Sequence, residues 1–225
     1  MIFALPFIMI AATFGLRGGN LIYKICQIWA HTWYITVCIF HKEIYEAPHD
    51  RTKQYIFIGN HISYLDIPPV ILSIHQPFRA LGKYEMVNVP IFGWIYKATV
   101  VLVDRRDSEK RAKSVRALKS ALAKGLSIFL FPEGTFNETK EPLKDFFDGA
   151  FRIAIETQTP IKPILFVDTP ERLHYKSLFN LTPGRNRAVY LETIDVSGFN
   201  LKDVPLIKQK AYDIMEAGLR RYRKY

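Results

Sequence analysis

Cysteine is almost missing from this chain. Only Cys26 and Cys38 occur in 225 residues, both in an apolar N-terminal stretch. That excludes a disulfide framework and offers no paired spacing for zinc, so a reducing, cytosolic setting is expected. Repeats and low-complexity tracts are absent as well. Tyr and Phe are abundant, but they do not alternate with Lys or Arg as a stacking platform for bases, and nucleic acid is not the expected partner. No basic segment precedes the first apolar run and no small-residue cleavage site closes it, which argues against a cleaved secretory signal. Acidic residues are the scarcer charge, 21 against 31 Lys and Arg, for a formal net charge of +10. Such an excess calls for an anionic partner, a membrane surface or a phosphorylated substrate.

What is present begins with two apolar arms. Residues 1–14 are almost wholly apolar, Arg17-Gly18-Gly19-Asn20 interrupts them, and residues 21–40 resume the pattern. The expectation is a helical hairpin over 1–40, followed by a catalytic domain over 41–225. At 1.5 Å per residue the first arm reaches only ~21 Å, short of a ~30 Å hydrocarbon core. In the second, Lys24, Gln27 and His31 share one face while Trp29, Trp33 and Tyr34 supply interfacial aromatics. Both favour shallow immersion in one leaflet, with the active site on the cytoplasmic side, and His31 is a stripe residue without a catalytic role.

Beyond residue 40, short apolar runs alternate with helical stretches, the pattern of an α/β domain with a mixed sheet flanked by helices. Strands are expected over 55–58, 78–81, 100–103, 125–131, 161–167 and 188–194. Helices are expected over 108–124, 146–157 and 205–225. The first of these helices places Val115, Leu118 and Leu122 on one face and Lys110, Arg111, Lys113, Arg116, Lys119 and Lys124 around the rest. A solvated outer face explains those cations, and contact with anionic lipid or an acyl-carrier protein is the second reading.

The chemistry concentrates after the strand at 55–58, in Asn60-His61-Ile62-Ser63-Tyr64-Leu65-Asp66. An imidazole exchanges a proton near neutral pH without help, and a carboxylate on its second nitrogen fixes the tautomer and stabilises the imidazolium. Two registers are open for the helix that follows. Ser63 is the N-cap with Asp66 at N3, or Asp66 is itself the N-cap with Ile67-Pro68-Pro69 as the first turn, which suits the prolines better. Either register puts Asp66 at the positive end of a helix.

Two further clusters sit at strand ends. The run 125–131 stops at Pro132-Glu133-Gly134-Thr135, where Gly134 permits close approach of a backbone amide to a substrate. Lys83 and Arg105 each close a strand-like run and are suited to a phosphate, Arg as a two-oxygen fork and Lys as a point charge.

Asn60-His61 with Asp66, the block from Lys83 to Arg105, Phe131-Pro132-Glu133-Gly134-Thr135 and Ile161-Lys162-Pro163-Ile164-Leu165 resemble, in order and spacing, the four motifs of the 1-acylglycerol-3-phosphate acyltransferases. The resemblance runs from about His41 to the last strands. It departs at Phe136, where the family often has Arg, and at Thr99, where it often has Gly. It implies transfer of an acyl group from acyl-CoA or acyl-carrier protein to the free hydroxyl of a lysophospholipid at a membrane surface. No cofactor or metal is implied. His61 is then the general base and Asp66 its orienting carboxylate. Lys83, Arg105, Glu133, Gly134 and Thr135 contact substrate, and the missing Arg leaves room for another acceptor such as a lyso-aminolipid. Two other readings stay open: a hydrolase with His61, Asp66 and Glu133 around a metal ion, weak for want of a second His, and a non-enzymatic basic membrane-binding module.

Overall fold

Alternation along the central strands sorts side chains to two faces of one sheet and so fixes where the helices lie. In the computed structural model the chain is described over residues 15–89, 92–103, 107–174 and 180–223. The elements in order are α1 (Gly15–Thr36), β1 (Ile39–Tyr45), β2 (Ile56–Gly59), α2 (Ile67–Ser73), β3 (Phe78–Lys83), α3 (Phe92–Thr99), β4 (Val100–Val103), α4 (Ser108–Ala123), β5 (Ser127–Leu130), α5 (Gly149–Thr157), β6 (Ile161–Phe166), α6 (Thr169–Arg172), β7 (Gly184–Tyr190) and α7 (Val204–Tyr222). The seven strands form one sheet in the order β1-β7-β6-β2-β5-β3-β4. β6, β2, β5, β3 and β4 run parallel to one another, whereas β7 is antiparallel to β6 and carries β1 parallel to itself. This is the expected mixed α/β sheet.

Ile56, Ile58, Ile128 and Leu130 face α4, α5 and α7, meeting Leu118, Leu122, Phe151, Ala154, Met215 and Leu219 in one buried cluster. Phe57, Phe129, Ile164 and Phe166 point the other way, into a second cluster with Val70 and Ile74 at the α2 end. One face is thus aliphatic and the other largely aromatic, as a period of two demands of strands covered on both sides. Each fully buried Phe or Ile contributes about 1.5–3 kcal/mol of hydrophobic stabilisation before chain entropy is subtracted.

The N-terminal region differs from expectation. The first arm, residues 1–14, lies outside the described residues. The interruption expected at Arg17–Asn20 is absent, because α1 runs without a break from Gly15 to Thr36. Nor does a second arm reach residue 40: Val37 bonds back to Trp33, Cys38 takes a positive φ of 54°, and Ile39 and Phe40 already belong to β1. Ile22, Cys26, Ala30 and Tyr34 form the buried face of α1, four residues apart, and Gln27 turns inward with Tyr23 to the carbonyl of Ile71 in α2. Leu21, Ile28 and Ile35 point outward, seven apart and each more than half exposed. No helix among the described residues is long and apolar enough to cross a membrane.

Candidate active site

Five parallel strands direct their C-terminal ends to one edge of the sheet, and the polar motif residues collect where β2 and β5 lie side by side. Gly59 ends β2 because a Cβ there would come within 2.8 Å of the Phe166 ring and 3.1 Å of Phe129. Asn60 follows and extends the pairing with its side chain. Its amide donates to the Phe166 carbonyl at 3.0 Å and its oxygen accepts the Phe166 N–H at 2.8 Å, so the chain leaves the strand from a fixed point.

His61 therefore starts a loop whose conformation is set from within. Ser63 caps a single 3₁₀ turn over Tyr64–Asp66, accepting the Leu65 N–H, while Asp66 returns a bond to the Ser63 N–H. Asp66 is also the residue from which α2 departs, with Pro68 and Pro69 in its first turn. The two helix registers left open by the sequence are thus both used, one after the other. Asp66 is fully buried, and its Oδ2 accepts from three groups: His61 Nδ1 at 2.9 Å, Ile62 N at 2.8 Å and Ser63 N at 2.9 Å. Its Oδ1 is buried with no hydrogen-bond partner among the described residues. With Nδ1 held on a carboxylate, the geometry puts the ring proton there and leaves Nε2 as the basic nitrogen. Nε2 has no partner among the described residues and is not one of the buried unpaired atoms.

The ring is held from its faces as well. Phe131 stacks on it at 3.9 Å between centroids and 10° between planes, Phe136 leans on it at 4.3 Å and 59°, and Tyr64 meets Phe136 edge-on at 4.8 Å. Phe131 in turn meets Phe129 of the core. Phe131, Phe136 and Tyr64 were not singled out as site residues, since stacking across a sheet edge leaves no periodic trace. The departure from the family pattern at Phe136 was the one available signal.

Glu133 faces inward. Buried to 1% exposure, it accepts the His61 N–H on Oε1 at 2.8 Å and the Lys144 N–H on Oε2 at 2.9 Å. Burial pushes its carboxyl up to about 7, partly opposed by those amides of Lys144 and His61. Both oxygens are thus committed to main chain, and the residue ties the two loops together. Gly134 also differs from expectation. Its φ of +74° explains the glycine, but its amide is used in a turn to the Phe131 carbonyl at 3.0 Å. Thr135 is exposed, and its hydroxyl accepts from Lys144 Nζ at 2.8 Å, a cation the sequence did not point out. Lys83 ends β3, the strand beside β5, exposed and 3.7 Å from Glu85. Arg105 lies outside the described residues. Beside the corner opens a cleft of about 330 Å³ with Ile62, Asn137, Lys140, Glu171, His174 and Arg223 among its walls.

The arrangement offers a base with an unspent nitrogen, a buried carboxylate behind it and an open edge before it, which suits deprotonation of a hydroxyl. A metal ion would need Glu133 as its third ligand. The oxygens of Glu133 are occupied by amides, and no group of three His, Cys, Asp or Glu side chains among the described residues could hold one.

A 1-acyl-sn-glycerol-3-phosphate acyltransferase of Haemophilus influenzae is 28% identical over 76% of this chain and 72% of its own length. A chloroplastic enzyme of the same name from Arabidopsis thaliana is 30% identical over 84% of this chain, which spans about half, 52%, of that relative. The crystal structure of a 1-acyl-sn-glycerophosphate acyltransferase from Thermotoga maritima superposes with a TM-score of 0.76 at 19% identity, covering 99% of this chain and 90% of that one. The family model described as acyltransferase matches residues 40–167, a span that holds His61, Asp66 and Glu133, and the chain belongs to that family.

Proposed function

We propose that this chain transfers a fatty acyl group from an acyl thioester to the free hydroxyl of a lysophospholipid, with 1-acylglycerol 3-phosphate as acceptor and phosphatidate as product. The observation that carries the reading is the His61–Asp66 pair with Nε2 left open at the sheet edge. His61 Nε2 takes the proton of the acceptor hydroxyl as its oxygen attacks the thioester carbonyl. The tetrahedral oxyanion then collapses and expels the thiolate, and the His61 imidazolium returns the same proton to that sulfur. No acyl-enzyme is required, and Asp66 favours the imidazolium in between. Such proton transfer is worth roughly 10²- to 10⁴-fold in rate. For the oxyanion, the amides of Gly134, Ile62, Ser63 and Leu65 are already committed. Those of Thr135 and Phe136 are used by no hydrogen bond among the described residues and are the better donors. Lys144 and Lys140 stand beside the corner as cations for the acceptor phosphate, joined by Lys83 at the end of β3 and, as the family resemblance implies, by Arg105.

The outward face of α1, with Leu21, Ile28 and Ile35, and Phe40 beyond it, supports monotopic contact with the membrane that supplies the acceptor. A lyso-aminolipid is the second acceptor class, favoured by one observation: the ring of Phe136, not a cation, stands 4.3 Å from His61.

The test is thiol release by purified protein from palmitoyl-CoA and palmitoyl-carrier protein, crossed with lysophosphatidate and lyso-aminolipid acceptors, for the natural chain and His61→Ala. Loss of roughly 10²-fold or more in the variant with unchanged folding is expected. Activity close to that of the natural chain would remove His61 from the mechanism.

A further inference from the structure

The outer face of α4 is the most one-sided charged surface among the described elements. From Ser108 to Lys124 it carries Lys110, Arg111, Lys113, Arg116, Lys119 and Lys124 against a single acid, Glu109. Lys119 is taken up by Glu156 at 2.6 Å, and Lys110 sits near Asp107 at 3.7 Å and over the Tyr84 ring. Lys113, Arg116 and Lys124 are exposed and form no ion pair among the described residues; the first two are i,i+3 neighbours on α4 and Lys124 caps its C-terminal end. A solvated face needs no such bias, because exposed cations this close repel one another by a few tenths of a kcal/mol per pair. The bias marks a surface that meets negative charge.

Two anionic partners are possible in chemical terms, a lipid surface and an acidic protein, and the layering decides between them. Val70 and Ile74 at the α2 end pack on the aromatic face of the sheet, and α1 packs on α2. Leu118 and Leu122 of α4 pack on the aliphatic face. The apolar stripe of α1 and the basic face of α4 are therefore on opposite sides of the sheet, and a bilayer seated on the first is turned away from the second. At the same time α4 starts at the catalytic edge. It follows β4, whose end lies beside that of β3, and its first turn meets Tyr84 next to Lys83. From there it runs about 24 Å away from that edge.

We propose that the outer face of α4 is the docking surface for an acyl-carrier protein, an acidic helical protein that presents its acyl chain as a thioester on a flexible phosphopantetheine arm. The carrier lies along Lys113, Arg116 and Lys124, and the arm passes the N-terminus of α4 to bring the thioester carbonyl to His61. The inference rests on the acyl-transfer reading and adds a landing site for the carrier-borne form of the donor. It separates the two surfaces by task, with lipid acceptor arriving on the α1 side and soluble donor on the α4 side.

The experiment compares the natural chain with Lys113→Glu/Arg116→Glu and with a control of equal charge change on other exposed residues, Lys42→Glu/Lys53→Glu. Binding of fluorescently labelled holo-carrier protein is measured by anisotropy, KM is measured separately for palmitoyl-carrier protein and palmitoyl-CoA, and binding to phosphatidylglycerol vesicles is followed by sedimentation. The α4 variant is expected to lose carrier affinity and to raise the KM for palmitoyl-carrier protein at least tenfold. Its kcat, its KM for palmitoyl-CoA and its vesicle binding stay within twofold of the control. Failure of the natural chain to bind the carrier, or equal binding by the α4 variant and the control, overturns the proposal. So does a loss of vesicle binding confined to the α4 variant, which would assign the helix to lipid. If carrier binding follows the expected pattern while neither donor releases thiol, the acyl-transfer reading falls and the docking surface stands.

Discussion

The corner between β2 and β5 and the outer pair β3 and β4 share one edge of the sheet but are built differently. At the corner nearly every polar group has an assigned partner. Asp66 Oδ2 accepts three donors, Glu133 clamps the amides of His61 and Lys144, and Asn60 continues the strand ladder with its side chain. At the end of β3, Lys83 is more than half exposed and its carboxylate partner is a neighbour on a solvent-facing turn. A reacting group must be held within a few tenths of an ångström, so it belongs where the main chain itself is pinned. A group that only attracts an anion works from a mobile side chain in water, and its individual contribution is small.

The sharpest break in this contrast is Asp66→Asn. The amide oxygen can replace Oδ2 and keep its three donors, while the NH₂ takes the place of an oxygen that already lacks a partner, so the fold is retained and only the charge is lost. A fall in kcat on the order of 10²- to 10⁴-fold is expected, with an unchanged melting temperature and circular dichroism.

Glu133→Ala tests whether the second carboxylate clamps or catalyses. Two buried amides lose their acceptor, which costs about 2–4 kcal/mol of stability by urea unfolding. Its titration gives a further sign to check. Because this carboxyl is held near 7 in the folded chain against an ordinary 4.5, the folded state binds the proton more tightly. Glu133 therefore adds stability as pH falls through 7, in full below 4.5, and loses it as pH rises. The slope, at most about 1.4 kcal/mol per pH unit between those values, should vanish in the variant.

Phe136→Leu is a smaller step. Removing one ring from beside the imidazolium should lower kcat about fivefold with KM unchanged, while Phe136→Tyr keeps the natural value. A change in KM alone would make Phe136 a wall of the acceptor site. Lys83→Ala should shift the KM for lysophosphatidate no more than about threefold and leave kcat untouched. A tenfold effect there would erase the proposed difference between corner and outer strands.

Much of the corner was legible because it is local. His61 and Asp66 are five residues apart, the strand before them is continuous apolar sequence, and the prolines after Asp66 announce a helix start. The amphipathic helix Ser108–Ala123 and the buried strand Ile161–Phe166 were visible for the same reason. The rest depends on partners distant in sequence. Ile39 and Phe40 read as the tail of an apolar arm and residues 41–45 carry no strand signal, so only pairing with β7 makes Ile39–Tyr45 a strand. β7 was expected from 188 but starts at Gly184, since Asn186 is buried against the Tyr34 hydroxyl and Arg187 folds onto Asp168. Polar residues so compensated carry no hydrophobic signature. The inward turn of Glu133 was invisible as well, because its two amide partners lie 72 residues before it and 11 after it.

The short 3₁₀ turn between His61 and α2 carries a consequence for how this chain tolerates change. Asp66 is the third residue of one helix and the launching residue of the next, so the interval back to His61 works like a fixed-length linkage with both ends anchored. Inside it only exposed Tyr64 has room for replacement, whereas Ser63 and Leu65 are buried. Adding or deleting one residue would turn everything beyond it by about 120° and separate acid from base. Insertions should be refused within this interval.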